Sequence, residues 1–285
     1  VIAIRLEEAG LLRIVLVCAL IAALVVVGGL QLYRFGGRYI LRDQDHEEVM
    51  TCEPVAAPAK TVRVLFVGNS LTFVNDLPAM LVNIASSDRT NTTRLEVKAE
   101  TYPGANLNFM LTKFGALAWA QAHHVDYVVL QERSGWYETS PGFDQAKQDA
   151  ADWRDALLSL NETPILFQVW ADGAESNVYS DRGYAAFGKT VEEDANDAAE
   201  STQSLGREFG LPVVAVGQAF ARAMRTAGAP DVFGPDHHHP SVAGTYLAAL
   251  VFYRYFTKRS GTEATYRPWG MSAAEAATLV QLSAE

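Results

Sequence analysis

From about residue 61 onward, short apolar runs alternate with longer segments of helical periodicity. This alternation predicts an α/β protein built on a central parallel sheet. The runs carry few polar positions, as strands covered on both faces do. The strand candidates are 62–67 (VRVLFV), 94–99 (RLEVKA), 127–130 (YVVL), 165–169 (ILFQV) and 212–216 (PVVAV). Helical patterns cover 76–85, where Leu77, Met80, Leu81 and Ile84 share a face, then 107–122, 143–160, 184–209 and 242–256. No internal repeat interrupts the series. Open parallel sheets bind ligands beyond the carboxyl ends of their strands, so the residues just after each strand are where chemistry is expected.

Three segments precede or form this unit. Residues 14–30 (IVLVCALIAALVVVGGL) contain no charge. With Leu11, Leu12 and Tyr33 the run is long enough to cross a bilayer as a helix, which takes about 20 apolar residues. It exceeds the roughly 7–15 residues of a secretory signal core, and it is apolar all round, unlike a helix on a globular surface. Residues 1–33 are therefore expected to hold a retained single-pass membrane anchor. Arg5 and Arg13 before the run nearly balance Arg34, Arg38 and Arg42 after it, so the positive-inside rule leaves orientation open. An extracytoplasmic domain is the expectation for an anchored protein of this kind. Residues 34–60 turn polar and then Pro/Ala-rich (CEPVAAPAK) and read as a linker. Residues 61–285 read as one domain.

Composition excludes several classes. The chain has 23 Lys and Arg against 33 Asp and Glu, a net charge of −10, and no basic stripe. Nucleic acid is not an expected partner, because phosphate neutralisation needs clustered cations. The two cysteines, Cys18 and Cys52, cannot form a disulfide framework. Two Asn-x-Thr triplets occur, at Asn91 and Asn161.

After the first strand comes Gly68-Asn69-Ser70-Leu71-Thr72. Gly68 permits a sharp turn, and a serine there is exposed at the sheet edge. Its hydroxyl needs a neighbouring base to act as a nucleophile. The pattern lacks the fifth-position glycine of the α/β-hydrolase elbow and the Gly-Lys-Ser/Thr of a phosphate loop. Near the other end stands Gly234-Pro-Asp-His-His-His-Pro-Ser241, with Ser241 as the N-cap of the last helix. Asp236 and His239 supply an acid and a base, the two groups that activate a serine. Asp236 with three histidines also offers metal ligands. However, consecutive side chains diverge and no His-Glu-x-x-His pattern is present; a solvated loop without function is the remaining alternative.

The pair Gly-Asn-Ser and Asp236-His237-His238-His239 resembles the SGNH (GDSL-type) hydrolases, over residues 62–256. The resemblance implies a flavodoxin-like, three-layer α/β/α fold, a nucleophile after the first strand at Ser70, and an Asp-x-x-His pair before the last helix with His239 as base. Asn69 replaces the family's aspartate. It also implies an oxyanion hole from the N–H of Ser70, a glycine N–H after the second strand, and an asparagine side chain after the third. Tyr102-Pro-Gly104 supplies the glycine. The third position departs: Val129-Leu-Gln131-Glu132-Arg133-Ser134 has no asparagine. Gln131, one methylene longer, is expected to donate in its place, as in SGNH branches that include carbohydrate acetylesterases.

Asn69, Glu132, Trp136 and Trp170 are expected to line the substrate site, since aromatic rings beside polar groups suit a sugar. The expected activity is hydrolysis of small acyl esters, acetyl groups on a carbohydrate first among them, without metal or organic cofactor. The same triad would serve a lipid or thioester hydrolase or an acyltransferase. A carbohydrate-binding domain that lost turnover is the reading of another class.

Overall fold

The computed structural model describes residues 50–51, 60–136 and 142–284. The expected membrane anchor, nearly all of the linker, and Tyr137 lie outside these residues. Among the described residues no helix is long and apolar enough to cross a membrane.

Six strands form one sheet: β1 (Met50–Thr51), β2 (Lys60–Gly68), β3 (Thr93–Thr101), β4 (Tyr127–Leu130), β5 (Thr163–Phe167) and β6 (Val213–Val214). Their order is β1-β3-β2-β4-β5-β6. β1 pairs antiparallel with β3 at Met50–Val97 and Thr51–Glu96, and every other pairing is parallel. Apart from the β1 edge this is the flavodoxin order. β1 falls inside the stretch that composition assigns to a linker; two residues are too few to leave a periodic signal.

The helices are α1 (Ser70–Phe73), α2 (Leu77–Ser87), α3 (Leu107–Phe109), α4 (Ala116–His123), α5 (Gly142–Leu158), α6 (Val191–Phe209), α7 (Val216–Arg225), α8 (Val242–Thr257) and α9 (Ala273–Leu282). Crossovers between parallel strands are right-handed. The β2–α2–β3 unit steps one way along the sheet and the β4–α5–β5–α6–β6 series steps the other, so their helices cover opposite faces. The chain reverses direction at the crevice between β2 and β4, which is the switch point where such sheets bind ligands.

Three differences from the sequence pattern have local causes. The helix expected over 107–122 is broken: α3 runs into a π-helical turn (Met110–Phe114), and Gly115, at φ 85°, separates that turn from α4. The helix expected from 184 starts at Val191, where Thr190 and Glu193 make a reciprocal capping box. The last predicted strand shrinks to two residues because α7 begins at Val216.

β2 is buried on both faces over its last five residues, and Phe66 meets Phe252 of α8 edge-on at 4.9 Å. Phe167 of β5 also meets the Phe252 ring edge-on, at the same distance. α8 therefore packs across the sheet centre, capped by Ser241, whose hydroxyl accepts from Gly244 N–H at 3.1 Å. Gly244 abuts the Val232 carbonyl and the Phe220 ring, leaving no room for a Cβ. That carbonyl already accepts from Ser241 N–H at 2.9 Å. Gly244→Ala is expected to push α8 off this contact and cost about 1–3 kcal/mol, as overpacking does. Urea unfolding should show a lower midpoint at unchanged slope.

Candidate active site

Ser70 is the first residue of α1, immediately beyond the end of β2. Asn69 caps that helix, its side-chain oxygen accepting from Leu71 N–H at 3.1 Å. Opposite stands the segment before α8. It closes on itself: Phe233 bridges Pro240, and Gly234 N–H donates to His239 O at 2.8 Å. The fold brings the two together. Ser70 Oγ lies 2.9 Å from His239 Nε2, and His239 Nδ1 lies 2.6 Å from Asp236 Oδ2. An ionised carboxylate only accepts, so the proton of the neutral ring is assigned to Nδ1, and Nε2 is left to accept from the serine hydroxyl.

Asp236 is fixed by more than the ring. Its Oδ1 accepts from His238 N–H at 3.1 Å and His239 N–H at 2.9 Å. Burial by itself would raise the Asp236 carboxyl, but the His239 ring and these two N–H donors outweigh it and hold the group below its ordinary value. Its stabilising contribution is therefore present above the ordinary value of 3.8 and is lost as pH falls through the lowered one.

The loop after β5 holds this segment from behind. Trp170 Nε1 donates to His238 O at 3.1 Å, Gly173 N–H donates to His237 O at 2.7 Å, and Asp172 Oδ1 lies 2.8 Å from His238 Nδ1. Burial opposes charge on His238, but the hydrogen bond and charge of Asp172 outweigh it and raise its pKa. From the nucleophile side, Asn75 Nδ2 donates to Pro240 O at 2.9 Å and to Thr245 Oγ1 at 3.1 Å. The sequence pattern places Asp172 after β5 with Trp170 but does not mark Asn75 as a site residue. Asn75 carries a positive φ of 57°, which no local motif announces.

The N–H groups of Ser70 and Gly104 donate to no protein acceptor among the described residues. Gly104 is exposed at φ 65°. Both are free to donate to an anionic oxygen. Gln131, expected to donate beside them, has one of its two amide N–H groups committed to the backbone. Its side chain is fully buried. Oε1 accepts from Asn69 N–H at 2.9 Å and Thr72 Oγ1 at 3.0 Å, while Nε2 donates to Glu132 O at 2.6 Å. The extra methylene lets the amide fold back on the backbone and away from solvent.

Three further expectations are corrected by burial. Asn69 is buried, and its Nδ2 donates to Ala105 O at 2.9 Å, so the residue joins the nucleophile turn to the Gly104 loop. Trp170 lies flat on Phe220 at 4.1 Å in the core. Glu132 is 0% exposed. Trp136 is half-buried, with the Arg133 guanidinium 5.9 Å from its ring centre. The exposed aromatic beside the site is Tyr102, two residues before Gly104, whose ring packs on Phe109 at 5.0 Å and Phe114 at 5.8 Å. The triplet at Asn91 is no glycan acceptor in the folded chain, since Asn91 is buried and donates to Ala85 O and Thr93 O. Among the described residues no group of three or more His, Cys, Asp or Glu side chains is placed to hold a metal ion.

No family model and no curated protein matches the chain. Solved structures do. One is described as an SGNH hydrolase, from Slackia heliotrinireducens: 27% identity, TM-score 0.57, covering 70% of this chain and 100% of that one. Another is a DUF4886 family protein from Bacteroides uniformis: 16% identity, TM-score 0.64, covering 78% and 93%. A third is a lipase/acylhydrolase from Enterococcus faecalis: 16% identity, TM-score 0.51, covering 70% and 96%. The last two share the fold.

Gln131→Ala separates a buried brace from an oxyanion donor. It strips partners from two buried donors and a carbonyl, each costing about 1–3 kcal/mol. A brace predicts a fall in unfolding free energy of a few kcal/mol; a donor alone predicts a 10²–10³ loss in rate at unchanged stability. We expect the stability loss, read by urea titration beside the kinetics.

The fold is similar to that of the SGNH hydrolase from Slackia heliotrinireducens, and on it Ser70, His239 and Asp236 form a serine–histidine–aspartate constellation.

Proposed function

We propose that the chain is a membrane-anchored serine ester hydrolase that removes small acyl groups, acetyl first among them, from a carbohydrate. The observation that carries the hydrolase reading is the continuous chain Ser70 Oγ–His239 Nε2–Asp236 Oδ2, at 2.9 and 2.6 Å. His239 takes the proton of Ser70 as the hydroxyl attacks the ester carbonyl. Asp236 keeps the ring in the tautomer this requires and stabilises the imidazolium. The N–H groups of Ser70 and Gly104 receive the developing oxyanion. His239 then returns the proton to the leaving alcohol, and water, deprotonated by the same ring, releases the acid.

Support for a sugar ester is chemical. Tyr102, 46% exposed beside Gly104, offers an aromatic face against which a sugar ring stacks. Support for the anchor is the uncharged run at residues 14–30, and an extracytoplasmic site follows from an anchored enzyme acting on glycans.

The test uses the full chain in detergent with a fluorophosphonate probe and a series of aryl esters. Wild type should label and should prefer acetate over octanoate. Ser70→Ala should lose labelling and turnover. Asp236→Asn should keep the fold and lower kcat by roughly 10⁴ through the wrong tautomer. A preference for long acyl chains would replace the sugar ester by a lipid. A folded wild type that neither labels nor turns over would leave a binding domain.

A further inference from the structure

Beneath the Gly104 loop lie two acids that the triad does not use. Three residues beyond Gly104 the chain enters α3, and a side chain takes each of its first N–H groups. Leu107 N–H points at Glu132, 3.3 and 3.4 Å from its two carboxylate oxygens. Asn108 N–H donates to Asp149 Oδ2 at 3.1 Å, and Phe109 N–H donates to Asn106 Oδ1 at 2.9 Å. Trp153 Nε1 secures Leu107 O at 2.9 Å. Glu132 also accepts from Arg133 N–H at 2.6 Å, and Asp149 from Gln145 Nε2 at 2.6 Å. Both acids are fully buried, and they take adjacent N–H groups at the start of α3. Two carboxylates held on adjacent N–H groups out of water repel each other unless one keeps a proton.

We propose that Glu132 and Asp149 share one proton and so act as positioning residues for the Gly104 N–H, a role that rests on the hydrolase reading above.

The surroundings supply no compensating cation. Among the described residues no Lys or Arg forms an ion pair with either acid. The charged groups facing the pair are Asp152, on the same helix as Asp149, which adds repulsion, and Arg133, whose guanidinium sits against Trp136. Burial pushes the Glu132 carboxyl up, and Asp149 adds to this against the pull of the Arg133 and Leu107 N–H groups, to about 8. The folded chain therefore keeps a proton that an unfolded chain releases above about 4.5, and stability falls as pH rises toward about 8. Once both acids are ionised they repel across the first turn of α3, and the loop before it loses its hold. An N–H that stabilises only the transition state then fails, so kcat falls while KM stays.

Glu132→Gln removes the titrating proton while its oxygen still accepts from Leu107 and Arg133 and its amide donates to Asp149. Wild-type kcat should fall between about pH 7 and 9, and Glu132→Gln should abolish that fall. Glu132→Ala should lower kcat about 10–100-fold at every pH, with KM nearly constant, and Glu132→Gln should recover most of it. Infrared difference spectra should show the carbonyl stretch of a protonated carboxyl in wild type and not in Glu132→Gln, a readout independent of turnover. The same alkaline fall in Glu132→Gln, or no such band in wild type, overturns the proposal. A wild type that carries the band but neither labels with fluorophosphonate nor turns over sinks the hydrolase reading and the positioning role with it.

Discussion

Two strand ends meet at the crevice between β2 and β4, and the side-chain carbonyl of Gln131 joins them. It accepts from Asn69 N–H and from the Thr72 hydroxyl, so the residues on either side of Ser70 are held to the next strand of the sheet. Gly68 is required for that closeness, since a Cβ there would fall 2.5 Å from Gln131 Oε1. Buried hydrogen bonds are strong because neither partner has water as an alternative. The nucleophile thus sits on a rigid base although its own hydroxyl faces solvent. Asn69 extends the base sideways to Ala105, which brings the Gly104 N–H into the same frame as the Ser70 N–H. An oxyanion site needs such fixed geometry, because donors that must reorient lose their advantage.

The base and the acid are held differently. Asp236 and His239 are three residues apart on one loop, and the backbone N–H groups of His238 and His239 tie the Asp236 carboxylate to it. Local closure alone would leave the loop free to swing. Trp170, Asp172 and Gly173 from beyond β5 fix its rear, and Asn75 fixes it to the nucleophile side. The His239–Ser70 distance is consequently set from two strands at once. This explains why Trp170, a residue whose type suits a sugar, is buried: its indole N–H finds a partner in the His238 carbonyl, the usual requirement for a buried tryptophan.

The parts of this arrangement that could be read in the sequence are those carried by local pattern. The alternation of runs gave the parallel sheet, and Ser70, Asp236 and His239 were visible because each stands at a fixed offset from a strand end or a helix cap. Burial of polar residues was not visible. Gln131 and Glu132 follow a strand at the point where ligand contacts are expected, and no local feature distinguishes a side chain aimed at solvent from one folded under the next loop. α7 and α9 were also missed. α7 begins where an apolar run still reads as strand, and α9 lies in an Ala-rich tail whose start is marked by the Ser272–Glu275 capping box, a signal that tertiary contact with Arg222 completes at Leu282 O.

Gln131 has a counterpart at the end of the next strand of the sheet. Gln168, at the end of β5, repeats its geometry. Its N–H donates to the neighbouring strand at Val214 O, as that of Gln131 does to Val67 O. Its Nε2 donates to the carbonyl of the next residue, Val169, as that of Gln131 does to Glu132. Its Oε1 accepts from a backbone N–H across the crevice, Gln218, as that of Gln131 accepts from Asn69. Gln168 stands at the end of another strand, outside the triad, so the motif forms there without a catalytic part. A glutamine at the carboxyl end of a buried parallel strand meets a backbone that has just left its ladder, with one carbonyl and one N–H unpaired. Its amide satisfies both at once. The same length that suits glutamine to this brace commits one of its amide N–H groups to the Glu132 carbonyl, beneath the free main-chain N–H groups of Ser70 and Gly104.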